Sequence, residues 1–217
     1  MNKAVLWDLD GTLLYTLPDI ANASNATLRH FGYPERTLEE YNSFVGNGAR
    51  NQIRCALGGE PENFEEILEY YREYYTAHCN ETTRPYDGIL EVAARLRQDG
   101  WRLGIVTNKP QTATTPLYEA FFPDFDLALG ETPAVPRKPN PDMVRLALER
   151  LEIPADRAVY VGDSEVDVLT ARNSGLPCIS AAWGYRTIGQ LLEAGADHIC
   201  RDPHEIPALL EELFRGK

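Results

Sequence analysis

Short, continuous apolar runs recur along the chain, each closing on a polar or glycine-containing turn. They are Ala4–Trp7, Arg102–Val106, Asp126–Leu129, Ala158–Val161, Pro177–Ala181 and a weaker one at Asp197–Cys200. Between them lie stretches of helical period: Glu91–Gln98, Met143–Leu151, Val166–Asn173 and Ile188–Glu193. Unbroken apolar strands alternating with amphipathic helices predict a parallel sheet covered on both faces. The segment from Leu14 to Arg84 breaks this rhythm. It offers no strand pattern, and Ile20–Phe31, Leu38–Tyr41, Ala49–Leu57 and Phe64–His78 all have helical spacing.

The expected fold is therefore α/β, a Rossmann-like parallel sheet with helices on both faces and a small all-helical unit inserted after the first strand. The expected division is a core of residues 1–14 and 85–217 and a helical cap of 15–84. Tyr70, Tyr71, Tyr74 and Tyr75 fall at helical spacing and are read as packing residues.

Composition narrows the functions. At 217 residues, the chain is long enough to bury a substantial core. Its net charge of −12 argues against nucleic acid or an anionic membrane as a bulk partner, because both need a basic footprint. No apolar run is long enough to span a bilayer, and no signal peptide is evident, so a cytoplasmic location is expected. Cys55, Cys79, Cys178 and Cys200 form no CxxC pair, and reduced thiols are expected.

The chemistry gathers at strand ends. Asp8-Leu9-Asp10-Gly11-Thr12-Leu13 follows the first strand, with two carboxylates one residue apart. Such a pair repels unless a cation lies between, and carboxylate oxygens suit Mg²⁺. Thr107-Asn108-Lys109-Pro110 closes a second strand ahead of a helix; Thr107 and Asn108 suit either an anion site or a helix cap. Lys138 stands between Arg137 and Pro139, where proline can aim its ammonium at a phosphate. Gly162-Asp163-Ser164-Glu165-Val166-Asp167 ends a third strand, with Asp167 one helical turn beyond Asp163. All these positions fall on the carboxyl edge of one sheet, where such folds bind ligands.

Taken in order, these four motifs resemble those of the haloacid dehalogenase superfamily. Leu17-Pro18-Asp19-Ile20, Val45-Gly46-Asn47-Gly48-Ala49-Arg50 and Thr107-Asn108-Lys109-Pro110 resemble its phosphoglycolate phosphatase-like branch. The resemblance implies a Mg²⁺-dependent phosphatase acting on a small phosphomonoester, 2-phosphoglycolate first. It implies Asp8 as nucleophile, Asp10 as acid and base, and Lys138 as the charge facing the phosphate. Gly11, Thr107 and Asn108 would hold the phosphate, with Gly46, Asn47 and Arg50 toward the substrate from the cap. Asp8, Asp163 and the Asp10 carbonyl would hold the metal, and Asp167 would support them.

Tyr15 departs from the resemblance, because relatives carry Asp there. A phosphomutase, a pyrophosphatase, a nucleotidase and a non-catalytic phospho-ligand-binding protein share the scaffold and stay open. Schiff-base phosphonate hydrolysis is disfavoured, since residues 15–84 contain no lysine. A monomer or a homodimer is expected.

Overall fold

The computed structural model describes residues 3–215. The outermost residues of the predicted core, 1, 2, 216 and 217, lie outside the described residues. Strand β1 (Lys3–Trp7) leads through the short strand β2 (Leu14–Tyr15) into four helices: α1 (Leu17–His30), α2 (Leu38–Phe44), α3 (Gly48–Leu57) and α4 (Phe64–His78). The chain returns through β3 (Arg84–Pro85) and then alternates α5 (Ile89–Gln98), β4 (Trp101–Pro110), α6 (Gln111–Phe121), β5 (Leu127–Glu131), α7 (Asp142–Leu151), β6 (Ala158–Gly162), α8 (Glu165–Ser174), β7 (Cys178–Ala181), α9 (Ile188–Glu193), β8 (His198–Cys200) and α10 (Ile206–Leu213). Among the described residues, no helix is long and apolar enough to cross a membrane.

The main sheet has the order β5-β4-β1-β6-β7-β8, and every neighbouring pair is parallel. From β1 the chain builds outward in one direction through β4 and β5, then crosses β1 to build β6, β7 and β8 on the other side. That reversal places a crevice at the carboxyl end of β1, between β4 and β6. Successive side chains of β1 face opposite ways. Val5 and Trp7 enter one buried cluster with α5 and α10, and Ala4 and Leu6 enter another with α7. This two-sided burial explains why the strands read as continuous apolar runs. The first cluster continues without a break into α1, α3 and α4 through Leu13, Leu14, Leu17, Ile20 and Ile53.

Two expectations need correction. The helical segment is bounded by a strand pair, β2 with β3, antiparallel and two residues long on each side. Tyr15 pairs with Arg84 there, its ring lies edge-on to Tyr86 at 6.0 Å, and the Arg84 guanidinium sits 4.8 Å from the ring centroid. Two residues, one side including Pro85, are too few to show alternation. Strand β4 also runs on to Pro110. Its register against β5 slips between Val106 and Pro110, so Thr107, Asn108 and Lys109 form an irregular strand end and do not cap a helix.

Candidate active site

Asp8 follows β1 directly, and its N–H donates to the Val161 carbonyl of β6 at 2.9 Å, which continues the sheet by one residue. Its Oδ1 accepts from the Leu9 N–H at 2.7 Å and lies 2.9 Å from Lys138 Nζ. Lys138 is 1% exposed. Its ammonium also donates to Asp167 Oδ1 at 2.8 Å and to the Tyr160 hydroxyl at 2.9 Å. Asp167 lies in the first turn of α8, where its Oδ2 accepts from the Ser164 N–H and Oγ. It therefore closes the helix start and holds Lys138 at the same time.

Asp163 accepts from Thr12 Oγ1 at 3.1 Å and from the Tyr185 N–H at 2.7 Å. Gly11 packs against it at φ +81°, and a Cβ there would fall 2.3 Å from Asp163 Oδ2. Only glycine meets both demands. The Asp10 carboxylate takes a different direction: its Oδ1 accepts from Thr16 Oγ1 at 2.7 Å and from Lys109 Nζ at 2.8 Å.

A cavity of about 30 Å³ opens between these residues and the helical segment, with Asp8, Asp10, Thr107, Asn108 and Lys109 on one wall and Gly46, Gly48, Gln52, Tyr71 and Tyr75 on the other. That is room for about one water. Asn108 Nδ2 donates to the Lys138 carbonyl at 3.0 Å and the Gly46 carbonyl at 3.3 Å, which settles the orientation of its amide. Its Oδ1 is buried without a hydrogen-bond partner.

The family model of haloacid dehalogenase-like hydrolases matches residues 5–181, a span that holds every one of these groups except Tyr185. The chain belongs to the haloacid dehalogenase-like hydrolase family. A phosphoglycolate phosphatase from Rhodobacter capsulatus is 39% identical over 193 residues, covering 86% of this chain and 87% of the relative. One from Nitrosospira multiformis is 34% identical and covers 97% and 96%. A solved structure from Lactobacillus delbrueckii subsp. bulgaricus superposes with a TM-score of 0.88 at 35% identity and covers 100% of both chains. The protein is a phosphatase of the haloacid dehalogenase-like family.

Oxygens of Asp8, Asp163 and Asp167 lie within 4.8 Å of one another. Burial, together with the Asp167 and Asp10 charges, pushes the Asp8 carboxyl up to about 6 against the pull of Lys138. Burial and the charges of Asp167 and Asp8 also raise Asp163 well above the usual carboxylate range. Burial works against the Lys138 ammonium, but Asp167 and Asp8 outweigh it and hold it charged. Four carboxylates, Asp8, Asp10, Asp163 and Asp167, thus face two ammoniums, Lys109 and Lys138. An all-oxygen donor set with two surplus negative charges fits a hard divalent cation. Asp167 spends one oxygen on the Lys138 ammonium and the other on the two Ser164 donors, whereas Asp163 accepts from the neutral Thr12 hydroxyl and Tyr185 N–H and Asp8 meets Lys138 through Oδ1, which points to Asp8 and Asp163 as the direct donors.

Of the cap residues expected at the substrate, Gly46 lines the cavity. Asn47 precedes α3 and is not among the lining residues. Arg50 turns away: its guanidinium pairs with Glu60 at 3.4 Å and with Glu65, and sits over Phe64 at 5.0 Å. Two nearby carboxylates satisfy it at the surface.

Sequence reasoning missed Lys109, which sits beside Thr107 and Asn108 in the quoted motif. It also missed Thr16, Tyr160 and Tyr185. Tyr71 and Tyr75 pack in the core as expected, with rings stacked at 5.6 Å, but they also line the cavity. Arg186 was unmarked as well. It pairs with Glu165 at 2.8 Å and donates to the Asn42 and Val45 carbonyls at 3.0 and 2.9 Å, clasping the loop before α3.

Proposed function

We propose that this phosphatase hydrolyses a small phosphomonoester, 2-phosphoglycolate foremost, through an aspartyl-phosphate on Asp8 with Mg²⁺ as cofactor. The observation that carries the reading is the meeting of Asp8, Asp10, Thr107 and Asn108 at one small cavity, with Lys138 bonded directly behind Asp8. The names of the relatives supply the substrate.

Asp8, Asp163 and the Asp10 carbonyl would hold the ion, which when bound offsets the repulsion between the phosphate and the carboxylates. Asp8 attacks phosphorus, and the bond from phosphorus to the leaving oxygen breaks. Asp10 delivers a proton to that oxygen. Thr16 and Lys109 both donate to its Oδ1, so the mobile proton belongs on Oδ2. Asp10 then takes a proton from water as that water attacks the phospho-Asp8, and the Asp8–phosphorus bond breaks, releasing phosphate and restoring the Asp8 carboxylate and the Asp10 acid.

Lys138 neutralises charge building between Asp8 and the phosphate. Thr107 Oγ1 accepts from the Lys109 N–H at 3.2 Å, which leaves its own proton for a phosphate oxygen. The helical segment serves as the cap. A cavity this small admits substrate only when α3 and α4 swing from the sheet edge, and their return excludes bulk water during transfer.

The test is phosphate release from a panel holding 2-phosphoglycolate, pyrophosphate, sugar phosphates and nucleoside monophosphates, first with Mg²⁺ and then with EDTA. Metal-dependent release with 2-phosphoglycolate preferred is the expected result. Release that persists in EDTA overturns the metal role, and preference for another ester overturns the substrate.

A further inference from the structure

The site holds a second ammonium to which the reaction above gives only a share in orienting Asp10. Lys138 already serves Asp8 and the phosphate. Lys109 has a side chain only 2% exposed, yet its Nζ lies 2.8 Å from Asp10 Oδ1 on one side and contacts the Tyr75 hydroxyl of α4 on the other. The Tyr75 ring centroid is 4.5 Å from the charge. Those two bonds use two of its three protons, and Lys109 lines the cavity. A lysine buried this deeply costs free energy unless its charge is used. Asp10 gives that charge one partner, but Thr16 donates to the same oxygen, and hydrolysis of an ester with a neutral leaving group makes no call on the remaining proton.

The leaving group must lie between Asp10, which protonates it, and the cap wall formed by Gln52, Tyr71 and Tyr75. Lys109 stands on that path. The same wall limits the leaving group to a few atoms, since Gln52 is locked to Ser24 and Tyr71 at 2.7 and 3.0 Å and cannot easily withdraw.

We propose that Lys109 is the specificity-determining residue: it binds a second anionic group, a carboxylate one or two carbons from the ester oxygen, and in doing so is drawn off Asp10. The inference rests on the reading of Asp10 as acid and base and deepens it. With a neutral tail, the ammonium stays on Asp10 Oδ1 and two donors tether that carboxylate. With an anionic tail, the ammonium is shared with the substrate, one tether loosens, and Oδ2 can turn to the leaving oxygen. The substrate's own charge thereby releases the acid that acts on it. Selection appears in kcat as well as KM, because the contact is completed only as Asp10 engages the leaving oxygen.

The experiment compares three phosphomonoesters of matched size: 2-phosphoglycolate with an anionic tail, 2-hydroxyethyl phosphate with a neutral one and phosphoethanolamine with a cationic one. For the native protein, kcat/KM should favour the anionic tail by about 10⁴-fold, as expected of a site built around a buried polar partner. Lys109→Met should reduce that preference to within about threefold, with much of the loss in kcat, and Lys109→Arg should retain part of it. Should Lys109→Met fail to fold, Lys109→Gln still donates to Asp10 without charge and gives the same reading. Survival of the anionic preference in Lys109→Met or Lys109→Gln overturns the proposal, as does an equal fall for anionic and neutral esters. If the native protein cleaves none of the three, the substrate reading fails on its own. Calorimetry on Asp8→Asn with and without Lys109→Met then decides this inference: tail-dependent binding lost with Lys109 supports it, and tail-independent binding refutes it.

Discussion

The Lys138 ammonium lies 2.9 Å from Asp8 Oδ1, and Asp167 flanks it at 2.8 Å, so one buried cation serves two buried carboxylates. Removing one partner of such a group leaves uncompensated charge, at a cost of about 3–5 kcal/mol. Lys138→Met should therefore lose stability on that scale in urea unfolding, and kcat should fall by roughly 10²–10³ or more. Adding Asp167→Asn to Lys138→Met removes one stranded anion. The double variant should then be more stable than Lys138→Met alone, and strict additivity in the cycle would contradict the triad.

Asp8 is raised to about 6, so in metal-free protein it holds a proton below that value and offers no charged ligand. Asp163 is raised too, by burial and by Asp167 and Asp8. Both shifts act in one direction: acid weakens metal binding. Mg²⁺ affinity measured by calorimetry should fall by about tenfold or more per pH unit below about 6. A flat profile through that range would show that neither carboxylate is a ligand.

Asp19 fastens the start of the helical segment to its end. Its carboxylate, 1% exposed at the start of α1, accepts from the backbone N–H groups of Glu81, Thr82 and Thr83 at 2.9–3.0 Å and from both threonine hydroxyls. Burial opposes the charge, but these donors win and hold the carboxyl below its usual range. A lowered folded-state pKa gives stability that is present above the unfolded value of about 3.9 and is lost as pH falls through the folded one. Asp19→Asn should cost about 1–3 kcal/mol at neutral pH. The gap between variant and native should close in unfolding experiments below about pH 4. A gap that stays constant into acid would assign the cost to shape and not to charge.

How much of this could be read from the residues depends on range. The six main strands announce themselves because parallel strands buried on both faces are apolar throughout, and Asp8, Thr107, Lys138 and Asp163 follow as the polar residues at or near their ends. Strand β4 hides its last residues because Thr107, Asn108 and Lys109 look like a loop until β5 pairs with Pro110. Lys109 meets Asp10 across 99 positions, and Tyr185 meets Thr16 across 169. No local spacing encodes such pairs. The tyrosine period on α4 showed which side faces inward, but not that the inward side of Tyr71 and Tyr75 also walls the cavity. Arg50 lies in the first turn of α3, just after the glycine-containing segment that suggested substrate, and Glu60 and Glu65 claim it only after the chain folds.

Tyr185 touches both halves of the chemistry with different atoms. Its N–H donates to Asp163, and its hydroxyl accepts from the Thr16 N–H at 3.1 Å and lies 3.0 Å from Thr16 Oγ1. Thr16 spends its only hydroxyl proton on Asp10, so the Tyr185 hydroxyl must be the donor to Thr16. Burial raises the Tyr185 phenol well above its ordinary value, which keeps that proton in place at neutral pH. Tyr185→Phe removes the hydroxyl and keeps both the ring and the backbone N–H. It should lower kcat by about tenfold through a poorly held Asp10 and cost about 1–3 kcal/mol for the unpaired Thr16 N–H. Mg²⁺ affinity should not change, because the contact to Asp163 survives. Parallel kinetics and calorimetry separate the two roles: a loss of affinity matching the loss of rate would mean that the hydroxyl supports the metal donors and not the acid.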